Sequence, residues 1–273
     1  MLKQRVITAL LLLPLVMAAI FAAPAAWFLM LLAIVLLGAS WEYGRLAGFA
    51  SYPGGYLLVL IQAVIITTLF WYKGEWAANM LLYLGICCFA WLLLFIRLPL
   101  YRPDTKLDNN YRLISFITAI VSVSSGWFAL GWIRIQTEGS WLILLLLLIV
   151  WAADTGAYFA GKAFGKSKLA PHISPGKTQE GLLGGLVAAP VVALLAAYLM
   201  PIEAISPLLL ILLSLVTALV SVGGDLMISM HKRTSGYKDS GKLLPGHGGI
   251  LDRLDSLLAA APFFAFGLLV SGI

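Results

Sequence analysis

The sequence predicts an all-α, polytopic integral membrane protein of about nine transmembrane helices, with its N-terminus in the cytoplasm. Three observations predict it. Of 273 residues, 62% are hydrophobic and 11% charged, whereas a soluble domain carries about 25% charge. Apolar runs recur at the length of roughly 17–25 residues that a helix needs to cross a bilayer. Finally, the cations fall on one side of the chain so folded, as cytoplasmic loops require.

The spans are expected at 5–22, 26–47, 55–72, 77–97, 112–133, 141–160, 181–200, 205–228 and 256–272. The first resembles a secretory signal, with Lys3 and Arg5 before an apolar stretch and small residues. An uncleaved span is the better reading, because further spans follow and the stretch is long for a signal core. It forms a tight hairpin with the second span around Pro24. The third ends in the aromatic pair Trp71-Tyr72, which suits a membrane interface.

With these spans alternating from a cytoplasmic N-terminus, every Lys and Arg except Lys73 and Arg134 falls inside. The net charge of +6 then follows from orientation and anionic lipid, and calls for no nucleic-acid partner. Residues 1–140 read as N-terminal transmembrane helices, about five spans. Residues 141–273 read as a C-terminal transmembrane catalytic region with cytoplasmic loops 161–180 and 229–255. Cys87 and Cys88 are adjacent in an apolar run with no partner, so they read as small buried residues. Glu42 and Arg45 read as a pair at a membrane boundary.

The two cytoplasmic loops hold more than orientation requires. Asp225 ends the eighth span in "SVGGDLMIS". A carboxylate at membrane depth is costly and by default functional. Asp252 and Asp255 lie three apart and share a face if "DRLDSLL" starts the last helix. Capping by acids of a first turn is the bland alternative. Metal binding is preferred, because crowded carboxylates repel unless a cation neutralises them, and all-oxygen ligands suit Mg²⁺. "PGHGG" offers backbone donors for an anion, or simply an ordinary turn, and His247 within it is a general acid, a phosphate donor or a satisfied loop histidine. Lys232, Arg233, Lys238, Lys242 and Arg253, mixed with Asp239, suit a metal–polyphosphate complex.

The other loop carries Asp154 before it, then Lys162, Lys166, Lys168 and "SPGKT". This is not a P-loop, since Pro171 stands where that motif needs its first Gly and no strand is expected before it. Lys177, Ser174 and Thr178 can still bind phosphate, although a basic loop on lipid headgroups competes for Lys162 and Lys166.

Gly224-Asp225-Leu226, Ser229, Lys232-Arg233, Lys238-Asp239-Ser240-Gly241, Leu244 to Gly249 and Asp252-Arg253-Leu254-Asp255 together resemble the signature of bacterial CDP-diacylglycerol synthases, the phosphatidate cytidylyltransferases. "ADTGAYFAG", "KLAPHISPGKTQEG" and "KQRVITAL" resemble that family too. The resemblance implies CTP and inner-leaflet phosphatidate as substrates. CDP-diacylglycerol and pyrophosphate are the products it implies. It implies Mg²⁺, with K⁺ beside it, on Asp225 and Asp252. Homodimerisation and an inner-membrane location are further expectations. The chain departs from the family at Ile228, where a Glu is frequent, and at His231, where an apolar residue is frequent.

On this reading Asp225, Asp252, Lys232, Arg233, Lys238, His247 and Arg253 are catalytic. Asp255 is a further metal ligand. Asp154, Lys166, Lys168, Ser174, Lys177, Thr178, Ser229, Asp239, Lys242, Gly248 and Gly249 bind substrate. The runner-up is a CTP-dependent lipid kinase. A transporter ranks below it, because the charges cluster at one face and no repeat is evident.

Overall fold

The computed structural model describes residues 2–49, 54–202, 205–246 and 248–272. The helices are α1 (Leu2–Phe21), α2 (Ala25–Leu46), α3 (Gly54–Trp71), α4 (Trp76–Phe95), a single-turn α5 (Arg97–Leu100), α6 (Asn109–Ile135), α7 (Gly139–Phe164), α8 (Gln179–Leu199), α9 (Pro207–Thr234) and α10 (Leu251–Val270). Eight of the described helices are long and apolar enough to cross a membrane, the third of them running from Asn79 through α5 to Leu100. The remaining expected span is α1, whose apolar part is Leu10–Phe21. The protein is thus an all-α polytopic membrane protein.

Without water, apolar burial does little to drive helices together, so small residues and interhelical hydrogen bonds do that work. α7 and α8 approach through Ala153, Gly156 and Gly161 against Gly185, Gly184, Ala188 and Gly181. Polar ties cross the rest. Gln62 Nε2 donates to the Ala119 carbonyl at 3.1 Å and Ser124 Oγ donates to Gln62 Oε1 at 2.7 Å, joining α3 to α6. Trp127 Nε1 donates to the Leu29 carbonyl at 3.1 Å, joining α6 to α2. α10 packs on both α6 and α9, its Leu258, Ala259, Ala260 and Phe264 fully buried.

Three local features place the site, two of them differing from the sequence reading and the third agreeing with it. First, Lys168–Ala170 (β1) and Ser174–Thr178 (β2) form an antiparallel hairpin. A turn closes it, Ile173 N donating to the Ala170 carbonyl at 3.2 Å. A strand therefore does precede "SPGKT", contrary to expectation. That segment is itself extended β2 rather than a phosphate loop. Second, α9 continues six residues past the expected end at 228, to Thr234. Basic residues in its last turn meet the negative end of the helix dipole, which favours the extension. Third, α10 begins at Leu251, so Asp252 sits in its first turn and Asp255 one turn on.

His231, a candidate polar donor by sequence, is fully buried instead. Its Nδ1 faces the Met227 carbonyl at 2.8 Å, with the Tyr43 and Tyr111 rings beside it. Ile228 is fully buried as well, so neither departure from the family pattern faces the site.

Candidate active site

The C-terminal ends of α2, α7 and α9, the N-terminal ends of α8 and α10, and the hairpin meet at one end of the bundle. α9 supplies Asp225, Ser229 and Lys232, spaced four and three apart and so on one face. Asp225 Oδ2 is ion-paired with Lys177 Nζ of β2 at 2.6 Å, and Ser229 Oγ donates to its Oδ1 at 3.1 Å. About a quarter of each charged partner is exposed. Lys232 Nζ pairs with Asp252 Oδ1 at 2.8 Å, in a more enclosed position.

α9 and α10 touch closely at this level. A Cβ at Gly224 would stand 2.6 Å from the Asp255 carbonyl oxygen, so only Gly permits the approach. The approach brings the Asp255 carboxylate within electrostatic reach of Asp225, Lys177 and Lys232. Asp154 of α7 interacts with Lys177 and Asp225 in the same way. Four carboxylates thus each interact with Lys177 or Lys232, so that the acids outnumber the ammonium groups four to two when all are ionised.

Asp252 has a second task. Its Oδ2 accepts from Ser240 N at 2.8 Å and Gly249 N at 2.9 Å, tying the loop after α9 to the first turn of α10. The capping reading of this acid is therefore real, and it coexists with the Lys232 pair. Gly248 sits at φ +83, and a Cβ there would stand 2.7 Å from Asp252 Oδ2. Gly248→Ala is expected to cost about 1–2 kcal/mol in the left-handed backbone alone. It should also turn Asp252 aside, lowering both the melting midpoint and turnover of the purified protein.

Glu42, which the sequence reading paired with Arg45, holds this loop instead. Glu42 is 1% exposed on α2. Its Oε2 accepts from Ser240 Oγ at 2.8 Å and Leu251 N at 2.9 Å, and its Oε1 accepts from Ile250 N at 3.1 Å. It caps α10, whose own N-cap residue, Ile250, offers no side-chain acceptor. The expected Glu42–Arg45 pair does not form: the Arg45 guanidinium lies over the Tyr237 ring, 5.1 Å from its centroid. Depth in an apolar helix was the available signal, since a buried carboxylate must find donors. Glu180 is the residue that the sequence reading missed. It accepts from Lys166 N and Ser167 N, each at 3.1 Å, and so fastens the start of the hairpin to α8.

A cavity of about 350 Å³ opens beside the Lys177–Asp225 pair. Asp154, Tyr158, Lys162, Lys177, Thr178, Leu182 and Val222 are among its lining residues. Thr178 also caps α8, its Oγ1 accepting from Gly181 N at 3.0 Å.

The other expected site residues are dispersed. Lys166, Lys168, Lys238, Asp239, Lys242 and Arg253 are exposed around this end. Ser174 is half-buried and pairs with Ala170 in the hairpin. Arg233 Nε donates to the Ile173 carbonyl at 3.1 Å, away from the Lys232 face. Gly249 is buried against Glu42 and Ser240. His247 lies outside the described residues.

Among the described residues, no three His, Cys, Asp or Glu side chains converge as a ready-made metal site. The chemistry of the donors nonetheless fits a hard divalent cation. They are all oxygens, and they carry more negative charge than the two lysines balance. Asp252 accepts from Lys232 on one oxygen and from two backbone N–H groups on the other, whereas Asp225 accepts only from side chains, Lys177 and the Ser229 hydroxyl.

A membrane-spanning bundle that gathers acids and lysines beside a cavity at one helix end suits an enzyme acting on phosphates at a bilayer surface. The sequence comparisons make the class specific: the model of the cytidylyltransferase family matches residues 3–270, and the chain belongs to that family. It is 42% identical over 273 residues to the phosphatidate cytidylyltransferase of Pseudomonas aeruginosa, covering 100% of this chain and 98% of that one. To the phosphatidate cytidylyltransferase of Haemophilus influenzae it is 35% identical, covering 97% and 98%. The Bacillus subtilis protein of the same name is 41% identical over 66% of each chain.

Proposed function

We propose that the protein transfers the cytidylyl group of CTP to phosphatidate, giving CDP-diacylglycerol and pyrophosphate. The observation that carries this reading is the cluster of Asp154, Lys177, Asp225, Lys232, Asp252 and Asp255 at the edge of the spanning helices. Family membership over nearly the whole chain supports the choice of reaction.

In the proposed step, an oxygen of the lipid phosphate bonds to the α-phosphorus of CTP. The bond from that phosphorus to the α–β bridging oxygen breaks, and pyrophosphate departs with the electron pair. The nucleophile is already an anion, so no strong base is needed. The work lies in aligning polyanions and offsetting their repulsion. Lys177, at the cavity wall, is placed to receive the lipid phosphate, and Lys232 to receive a nucleotide phosphate. Each exchanges its aspartate partner for the substrate. Asp225, Asp255 and Asp252 are the residues that would hold Mg²⁺, with K⁺ beside it. When bound, the ion supplies charge neutralisation for the triphosphate and the leaving group.

The reading includes an inner-membrane location, with this end of the bundle and the N-terminus facing the cytoplasm. The charge count of the sequence supports that orientation, since all cations but Lys73 and Arg134 fall on that side. A homodimer belongs to the same reading. The test is an assay in detergent micelles with CTP, phosphatidate and Mg²⁺. Liponucleotide and pyrophosphate should appear in equal amounts, and neither without the lipid. CDP and a phosphorylated lipid would instead make the protein a kinase.

A further inference from the structure

A second cavity, again of about 350 Å³, lies at the turn of the hairpin. Leu98, Pro99 and Tyr101 from the end of α5 form one wall. The hairpin residues Leu169 to Ile173 form another, and Leu226 of α9 closes it. Resting on the functional reading above, we propose that this cavity binds the cytosine base of CTP, with Tyr101 and Arg233 as specificity-determining residues.

Continuity with the reacting groups is the first argument. Leu169 lines both cavities, and Leu226 follows Asp225 directly. A nucleotide whose phosphates lie along the Asp225–Lys232 face of α9 would place its base one helix face over. Shape is the second. The lining pairs the flat faces of Tyr101, Pro99 and Pro171 with the apolar side chains of Leu98 and Leu226. Such walls suit a planar ring, and aromatic stacking is indifferent to which ring.

Discrimination then needs a polar group at the edge. Arg233 lies seven residues after Leu226, hence on the same face of α9. Its Nε donates to the carbonyl of Ile173, a lining residue, which fixes the guanidinium at the rim. The remaining N–H groups are donors only. Cytosine offers two neighbouring acceptors on its pairing edge, O2 and N3. Uracil carries a proton at N3 and would oppose donor to donor. The competing occupant is the lipid. The first cavity suits it better, because Asp154, Tyr158, Leu182 and Val222 bring spanning helices α7, α8 and α9 into its wall.

The test measures KM for CTP and for phosphatidate separately in mixed micelles, with UTP as the rival nucleotide. Tyr101→Ala should raise KM for CTP about tenfold, the size of one lost base–aromatic stack. KM for phosphatidate should stay unchanged, and Tyr101→Phe, which keeps the ring, should restore most of the affinity for CTP that Tyr101→Ala loses. Arg233→Gln should narrow the preference for CTP over UTP by about tenfold or more. His172 is an exposed lining residue, so His172→Trp should fill the cavity and raise KM for CTP even if Tyr101→Ala fails to fold. An unchanged KM for CTP in an active protein overturns the base site alone. A raised KM for phosphatidate gives the cavity to the lipid instead. An unaltered protein that forms no liponucleotide would fail the functional reading itself.

Discussion

Asp225→Asn should reduce cytidylyl transfer by about 10²–10³-fold or more, the loss typical of removing one well-placed electrostatic partner. Asparagine matches aspartate in size and still accepts from Ser229 Oγ, now 3.1 Å from Oδ1. It removes the charge that holds Lys177 at 2.6 Å and that would hold a divalent ion. About a quarter of the Asp225 side chain is exposed, and the helix around it is fixed by buried Leu226, Met227 and Ile228. The melting midpoint should therefore stay near that of the unaltered protein while turnover collapses. Turnover near normal in a folded, membrane-inserted variant would remove Asp225 from the chemistry.

Glu42→Ala should act in the opposite order, on stability first. It strips the acceptor from Ser240 Oγ, Ile250 N and Leu251 N at a buried position. Each buried donor left unpaired costs about 1–3 kcal/mol, so a loss of several kcal/mol is expected. Asp252 shares this loop through Ser240 N and Gly249 N, so turnover should fall with the fold. Thermal melting of the purified variant checks this. An unshifted midpoint would mean that the loop closes onto α10 without α2.

The spans were legible because the bilayer imposes a length and a polarity that any nine such segments must show. α2, α3 and α8 fall within two residues of their expected bounds. Asp225, Lys232, Asp252 and Asp255 were legible for a related reason: charge beside membrane-depth apolar sequence needs a partner. The hairpin was hidden because two prolines and a Gly-Lys-Thr suggest a loop, and its strands are only three and five residues long. Glu42 was seen but given the wrong partner. Its true partners lie 198 to 209 positions away, and local spacing favoured Arg45. The exposed cations Lys238, Lys242 and Arg253 share a segment with the site, yet sequence alone could not separate a phosphate ligand from a residue that sets orientation.

The central claim is that this acid cluster binds a divalent ion together with CTP, and ligand-dependent melting tests it most directly. Any ligand that binds the folded protein alone raises its midpoint as concentration passes Kd. With CTP present, Mg²⁺ should raise the midpoint saturably in the unaltered protein and fail to do so in Asp225→Asn. An equal, saturable Mg²⁺-dependent rise in Asp225→Asn would contradict the account.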